Sequence, residues 1–168
     1  MLNRPVVRDG KPYPPLTLED FVLLPDVVEA VSVLRERGFQ LYVVTNQPDV
    51  ARGTQQRSVV ESMHAKLQTL LLLDDFYVCY HDDREACDCR KPKPGLLLRA
   101  AREHDISLPD SYMIGDRWRD VDCGHAAGCK TIFIEKNYTE RLRMQPHFTV
   151  ADLLAAAAII TSLEGLQP

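Results

Sequence analysis

The feature that most constrains the fold is an alternation of strand and helix patterns that begins at residue 39. Short apolar, β-branched runs end abruptly in polar residues, as buried parallel strands do, in FQLYVVTN, DFYVCYH, SYMIGD and KTIFIE. Longer segments with helical spacing of apolar residues separate or follow these runs, at 54–73, 94–105, 117–128 and 149–163. This order predicts an α/β fold, doubly wound around a mostly parallel sheet.

The start of the chain has a different character. Residues 4–25 hold five of the eleven prolines, which predicts a long loop because proline lacks an N–H and restricts its neighbour. A helix is expected from Asp26 to about Arg37, and Gly38 should end it. Thr54 and Thr149 are the expected caps of two later helices.

Composition narrows the function classes. The 168 residues predict a single domain over 1–168, and a net charge of −4 favours neither a nucleic-acid partner nor a membrane partner. The longest apolar stretch, 153–160, is too short to span a bilayer, and no secretory signal pattern opens the chain. We therefore expect a cytoplasmic protein, by default a monomer, whose clustered cysteines serve a metal or catalysis.

Four soft ligands lie within eleven residues, as Cys79-x-His81 and Cys87-x-Cys89. Three thiolates and one imidazole are a donor set that zinc accepts in a closed tetrahedral site. The spacer between the two pairs has no apolar anchor, so a structural zinc ion would hold the loop in place. The alternative is a mixture of buried and free cysteines with a surface histidine. Cys123 and Cys129 lie elsewhere and are expected to be packing thiols.

Polar residues follow several predicted strands at the edge where α/β sheets bind ligands. Thr45 and Asn46 offer a hydroxyl and an amide, Arg90 and Lys91 offer two cations, and Asp116 suits a hard cation such as Mg²⁺. Taken singly, each of these groups can be interpreted without a function, as a turn, a solvated charge or a helix cap. Their joint placement at neighbouring strand ends favours a phosphate site.

The segments VVTNQPDVARG, CDCRKPKPG and MIGDRWRD resemble the haloacid dehalogenase (HAD) superfamily of phosphohydrolases. More narrowly, the chain is similar to the D-glycero-D-manno-heptose 1,7-bisphosphate phosphatase and histidinol-phosphatase branch, which has a zinc loop of this form. The inserts in this sequence are short, so we expect a minimal cap. The resemblance covers nearly the whole chain. It implies a HAD-like hydrolase domain that uses Mg²⁺ and Zn²⁺.

The resemblance also assigns roles to individual residues. It implies that Thr45 and Asn46 hydrogen-bond the transferring phosphoryl group and that Lys91 neutralises the phosphate and the nucleophile. Asp116 would bind magnesium, with Asp120 as the second acidic position of the same motif. The remaining matches are the substrate-contacting cations Arg52 and Arg90 and the zinc ligands Cys79, His81, Cys87 and Cys89.

The first motif of the family, an apolar strand followed by D-x-D-G-x-L-N, is matched only at its end by Leu2 and Asn3. The nucleophilic and acid/base aspartates of that motif are therefore absent from this sequence and would lie just before Met1. Asp9 is no substitute, because it follows no apolar strand. We expect a coding region that starts further upstream, and a slot in the sheet between the strands that end at Thr45 and Asp116.

The resulting expectation is a Mg²⁺-dependent phosphatase for a small phosphorylated metabolite, with heptose 1,7-bisphosphate as the expected substrate. Histidinol phosphate is the alternative substrate within the same branch. Two rival classes are a pseudoenzyme that binds a phosphorylated ligand without turnover and a zinc-stabilised interaction module that docks through its cysteine loop.

Overall fold

The computed structural model describes residues 1–8, 11–136 and 141–165. Asp9 lies outside these ranges. The described helices are α1 (Val27–Glu36), α2 (Pro48–Ala51), α3 (Arg57–Leu70), α4 (Gly95–His104), α5 (Trp118–Ala127) and α6 (Leu153–Glu164). The described strands are β1 (Val6–Arg8), β2 (Lys11–Tyr13), β3 (Tyr42–Asn46), β4 (Asp75–Cys79), β5 (Tyr112–Gly115), β6 (Lys130–Ile134) and β7 (Phe148–Val150).

The predicted α/β architecture with parallel strands is confirmed, but its strands fall into separate groups. Strand β3 pairs in parallel with β4, aligning Tyr42 with Asp75 and Asn46 with Cys79. Strands β5, β6 and β7 form a second parallel group in that order. Strands β1 and β2 form a separate antiparallel hairpin. The parallel strands therefore bring their carboxyl ends to one rim, where Asn46, Cys79 and Gly115 end their strands.

Helices cover both faces of the parallel strands. One core cluster joins α1, α3 and α6 to the fully buried Ile132 and Ile134 of β6. Two smaller clusters join α4 to β4 and to β5 and α5, around Tyr77 and Met113. Each large apolar side chain removed from water stabilises the fold by about 1.5–3 kcal/mol. Successive strand residues point to opposite faces, so this two-sided burial is what the continuous apolar runs predict.

A cleft separates the two parallel groups. Among the described residues, β3 is paired only with β4 and β5 only with β6, so each presents one edge to a shared cavity. The cavity has a volume of about 1060 Å³ and is lined by Val43 and Val44 of β3 and by Met113 and Ile114 of β5. The expected slot between the strands that end at Thr45 and Asp116 lies at this place.

Three local expectations were wrong. Part of the proline-rich start forms the β1–β2 hairpin, in which Pro12 lies opposite Val7. Both strands of a two-stranded hairpin are edge strands, where a proline without an N–H is tolerated. Helix α3 begins after Gln56 rather than after Thr54. Thr149 lies within β7, and α6 is capped instead by Asp152, whose side chain accepts the backbone N–H of Ala155 at 2.7 Å. Within the described ranges, no helix has the length and apolar character needed to cross a bilayer.

Candidate active site and metal centre

Lys91 is fixed at the rim by a reciprocal pair of hydrogen bonds with Asn46, the last residue of β3. The Lys91 backbone N–H donates to Asn46 Oδ1 at 3.0 Å, and Asn46 Nδ2 donates to the Lys91 carbonyl at 3.1 Å. The sequence assigned the Asn46 amide to a phosphoryl group. In the structure that amide holds the backbone of Lys91 against the end of the sheet.

The Lys91 ammonium group lies almost fully inside the protein. Its Nζ atom donates to the Val44 carbonyl at 2.6 Å and lies 2.7 Å from Asp120 Oδ1, and the two charged side chains are only 11% and 8% exposed. Because the pair lies in a region of low dielectric, its charge is poorly screened by water. The ammonium is therefore directed to one point at the sheet edge.

Asp120 has a second role at the start of α5. Its Oδ2 atom accepts the backbone N–H of Arg117 at 3.1 Å, which satisfies one of the free donors at the helix N-terminus. Gly115 makes this approach possible, because a Cβ atom at that position would collide with the Asp120 side chain. Strand β5, helix α5 and Lys91 thus meet around one buried carboxylate.

Asp116 and Thr45 line the same cavity as Lys91. The Asp116 side chain is partly buried, and its Oδ2 atom accepts the α-amino group of Met1 at 3.2 Å. Thr45 Oγ1 accepts Gln47 Nε2 at 3.2 Å. A partly buried carboxylate in this cavity suits a hard cation, because Mg²⁺ takes oxygen ligands.

The four predicted soft ligands come together at the end of β4. The ligand atoms of Cys79, His81, Cys87 and Cys89 all lie within 4.8 Å of one another. Cys79 Sγ lies 3.9 Å from Cys87 Sγ and 3.6 Å from His81 Nδ1. Zinc bonds of about 2.3 Å in a tetrahedron place two sulfurs about 3.8 Å apart, so these spacings fit a zinc ion. Cys89 Sγ is closer, 3.1 Å from Cys79 Sγ.

The thiols of this cluster affect one another. Burial, followed by the neighbouring Cys79 and Cys87, raises the pKa of Cys89 to about 12, and burial raises the pKa of Cys79. The protonated thiols share hydrogen bonds, whereas a metal ion requires thiolates. Metal binding at this cluster would therefore release protons, and the positive ion would offset the repulsion between the sulfurs.

Cys123 and Cys129 lie away from the cluster, as expected for packing thiols. Both are buried in the core group that includes Leu97 and Met113. Burial raises the pKa of Cys123 to about 12 and that of Cys129 to about 11, which keeps both thiols protonated and unreactive.

Arg90 and Arg52 converge on one acidic residue of the zinc loop. Arg90 Nε and Nη2 donate to Asp83 Oδ1 at 3.0 and 2.8 Å, and Arg52 Nη2 donates to Asp83 Oδ2 at 3.0 Å. The hydrogen bonds from Arg90 lower the pKa of Asp83 below its usual value, and the charges of Arg119 and Arg52 act in the same direction.

Sequence reasoning did not anticipate the contacts of Asp83 with these arginines, because an acidic spacer is usually solvated. Nor did it anticipate the stacking of the Arg143 and Arg119 guanidiniums on Trp118, at 3.5 and 4.6 Å from the ring centroid. The available signal was the number of arginines near the predicted rim. The pairing itself leaves no recognisable pattern, because Arg52 and Arg143 lie far along the chain from their partners.

Several known proteins are similar to this chain. A HAD-hydrolase-like family model matches residues 88–157. The D-glycero-β-D-manno-heptose-1,7-bisphosphate 7-phosphatase of Pseudomonas putida is 35% identical over 130 residues, which cover 74% of each chain. The protein of the same name from Helicobacter pylori (strain J99) is 39% identical over 118 residues, covering 67% of this chain and 68% of the relative.

A solved structure shares the fold of this chain. The D,D-heptose 1,7-bisphosphate phosphatase from B. bronchiseptica, crystallised with magnesium and phosphate, superposes with a TM-score of 0.78 at 24% identity. The match covers 96% of this chain and 93% of that chain. At this identity the likeness speaks for the fold alone.

Proposed function

This chain belongs to the HAD-like family of phosphoric monoester hydrolases, and from that premise we propose that it removes a phosphate group from a sugar bisphosphate of the heptose type. Two of its relatives, at 35% and 39% identity, carry the name of a phosphatase for such a substrate. Histidinol phosphate is the alternative substrate. The proposed setting is the cytoplasm, and the proposed partner is this small metabolite alone.

The observation that carries the proposal is the buried ammonium of Lys91 at the rim, in a cavity that Thr45 and Asp116 also line. In phosphoryl transfer, catalysis consists mainly of positioning and of charge stabilisation at the equatorial oxygens. Lys91 and Thr45 would supply a cation and a donor to those oxygens. Asn46 would act by holding Lys91 in register with the end of β3.

Among the described residues, Asp116 is the proposed magnesium ligand. A bound Mg²⁺ ion would supply further positive charge to the phosphoryl oxygens. Asp120 is proposed to act through Lys91, because it fixes the position of the ammonium and caps α5 with the same carboxylate.

A carboxylate nucleophile is also required for covalent transfer in this family. We place it on a strand that would lie in the cleft between β3 and β5. There it could pair with the open edge of each neighbour, and its carboxyl end would reach the rim beside Asp116.

The cysteine cluster is proposed to hold a structural zinc ion. All four donors come from the protein, so no open position would remain for a substrate. The loop it closes carries Arg90 and leads directly into Lys91. The zinc ion would therefore keep the two cations at the rim.

The test is phosphate release from a panel of sugar phosphates that includes heptose 1,7-bisphosphate and histidinol phosphate. The protein should be made together with any in-frame residues that its gene encodes before Met1. The proposal expects turnover with Mg²⁺ and preference for the bisphosphate. Phosphate binding without turnover on any member of the panel would favour the pseudoenzyme instead.

A further inference from the structure

Asp83 occupies a position built for an anion. Two guanidinium groups, from Arg90 and Arg52, contact its two carboxylate oxygens at 2.8–3.0 Å. Arg90 Nε and Nη2 both donate to Oδ1, and Arg52 Nη2 donates to Oδ2, so three charged N–H donors surround the carboxylate. An internal carboxylate thus fills the place where an external anion would find the same donors.

The two sides of this contact differ in how firmly they are held. Arg90 is 13% exposed, and its Nη1 atom also donates to the His81 carbonyl at 3.1 Å, so its guanidinium is fixed without Asp83. The Asp83 side chain is 57% exposed and lies in the irregular segment between His81 and Cys87. A side-chain rotation would move the carboxylate into water and leave Arg90 in place. Arg52 is 40% exposed and would keep Asp49 at 3.3 Å and Asp82 at 3.8 Å as partners.

We propose that Asp83 is a displaceable internal anion that occupies the binding position of the second phosphate of a bisphosphate substrate. This inference rests on the proposed function and specifies how the same site selects its substrate. A phosphate group carries about −1.5 to −2 charges at neutral pH, against −1 for a carboxylate, so it can replace Asp83 between the arginines. A ligand with a single phosphate, bound at Lys91, has no second group to do so.

The consequence is a selectivity filter. Only a ligand that spans from Lys91 to the Arg52–Arg90 pair recovers the contacts that are lost when Asp83 leaves. If Asp83 instead served only to align the two guanidiniums, removing its charge would weaken binding of the bisphosphate. The sign of one substitution therefore separates the two roles.

The experiment measures binding to the zinc-loaded chain by calorimetry at one fixed low salt concentration. The probes are fructose 1,6-bisphosphate and fructose 6-phosphate, and the variants are Asp83→Asn and Asp88→Asn. Asp88 is the matched control, because it lies in the same loop with a fully exposed side chain whose nearest cation, Lys93, is 3.7 Å away. Neither probe has to be hydrolysed for binding to be read.

Removing a competing exposed ion pair should tighten binding of the bisphosphate by about twofold to fivefold in Asp83→Asn. Binding of fructose 6-phosphate should stay unchanged, and Asp88→Asn should behave as the wild type with both probes. The gain should vanish when Arg90→Gln is added to Asp83→Asn.

Two failures are distinguishable. If the wild type binds fructose 6-phosphate but Asp83→Asn binds the bisphosphate equally or more weakly, Asp83 is not a displaced anion and the proposed function stands. If the wild type binds neither probe, the phosphate site itself is wrong and this inference falls with it.

Discussion

At the rim of the sheet, Lys91 meets Asn46, Val44 and Asp120 through four short polar contacts, whereas the edges of β3 and β5 just behind it face a cavity of about 1060 Å³. The rim is assembled by side chains from distant parts of the chain and is closely connected. The cleft is bounded by two strand edges that no described strand joins. The proposed phosphate-binding groups are therefore held in place, while the sheet that supports them offers room for a further strand.

This difference separates two requirements of the site. Electrostatic preorganisation depends on ion pairs and hydrogen bonds among the described residues. Sheet continuity depends on backbone groups that need a partner strand, because buried N–H and C=O groups left unpaired cost about 1–3 kcal/mol each. The first requirement can be tested by substitutions at the rim, and the second by comparing β5, which borders the cleft, with β6, which is paired on both sides.

The largest expected effect is the loss of the metal centre. Cys89→Ser should remove zinc, expected at one ion per chain, and should lower the melting temperature by several degrees, because structural zinc sites contribute folding energy. Zinc content by mass spectrometry and thermal melts measure the two effects. Cys129→Ala is the control, since its thiol is buried outside the cluster and should leave zinc content unchanged.

The next effect is on catalysis. Lys91→Met should lower turnover by about a hundredfold or more, because it removes a charge from the position where the phosphoryl oxygens would bind. Lys93→Met, two residues along the same run and half-exposed, should stay within a few-fold of wild type. Equal losses in the two variants would show that general positive charge, rather than the buried ammonium, is responsible. Melting curves should accompany the assay, because Asp120 loses its ion partner in Lys91→Met.

A pair of core substitutions compares the packed and open parts of the sheet. Ile132→Ala should reduce the free energy of unfolding by about 2–5 kcal/mol, because its side chain is fully buried between the helices and the strands. Ile114→Ala should cost less, about 1 kcal/mol, because that side chain already lines the cavity. Urea unfolding measures both values. Similar costs would mean that the cleft is filled in solution.

The smallest effect concerns backbone protection. Strand β6 is paired on both sides, whereas β5 is paired only with β6 among the described strands. Amide protons of β6 should therefore exchange with solvent more slowly, by about tenfold or more, than those of β5. Hydrogen exchange followed by NMR resolves the two strands. Equal protection would indicate that another strand covers the free edge of β5.

The sequence predicted those parts of the molecule that depend on local spacing. Continuous apolar runs were sufficient to predict the parallel strands β3 to β6, because burial on both faces imposes that pattern. Helical spacing of apolar residues was sufficient for the larger helices. The C-x-H and C-x-C pairs predicted the cysteine cluster for a similar reason, since the spacing alone brings donors to one loop. Helix α2 was missed because four residues are too few to show a helical period.

The remaining features depend on contacts between distant residues. Thr149 was expected to cap a helix but joins β7, because pairing with β6 outweighs its local preference for a cap. The contact between Asp83 and Arg52 spans 31 residues and leaves no periodic trace in the sequence. The hydrogen bond from the Asn46 side chain to the Lys91 backbone is likewise visible only in the structure.

The central claim is that a metal-bound loop holds Arg90 and Lys91 against an anion at the carboxyl rim of the sheet. A crystal structure determined with zinc and inorganic phosphate, with anomalous data at the zinc edge, tests it most directly. The account predicts one zinc ion bound by Cys79, His81, Cys87 and Cys89, and one phosphate within hydrogen-bonding distance of Lys91 Nζ and Thr45 Oγ1. A phosphate bound away from Lys91, or zinc bound elsewhere, would contradict it.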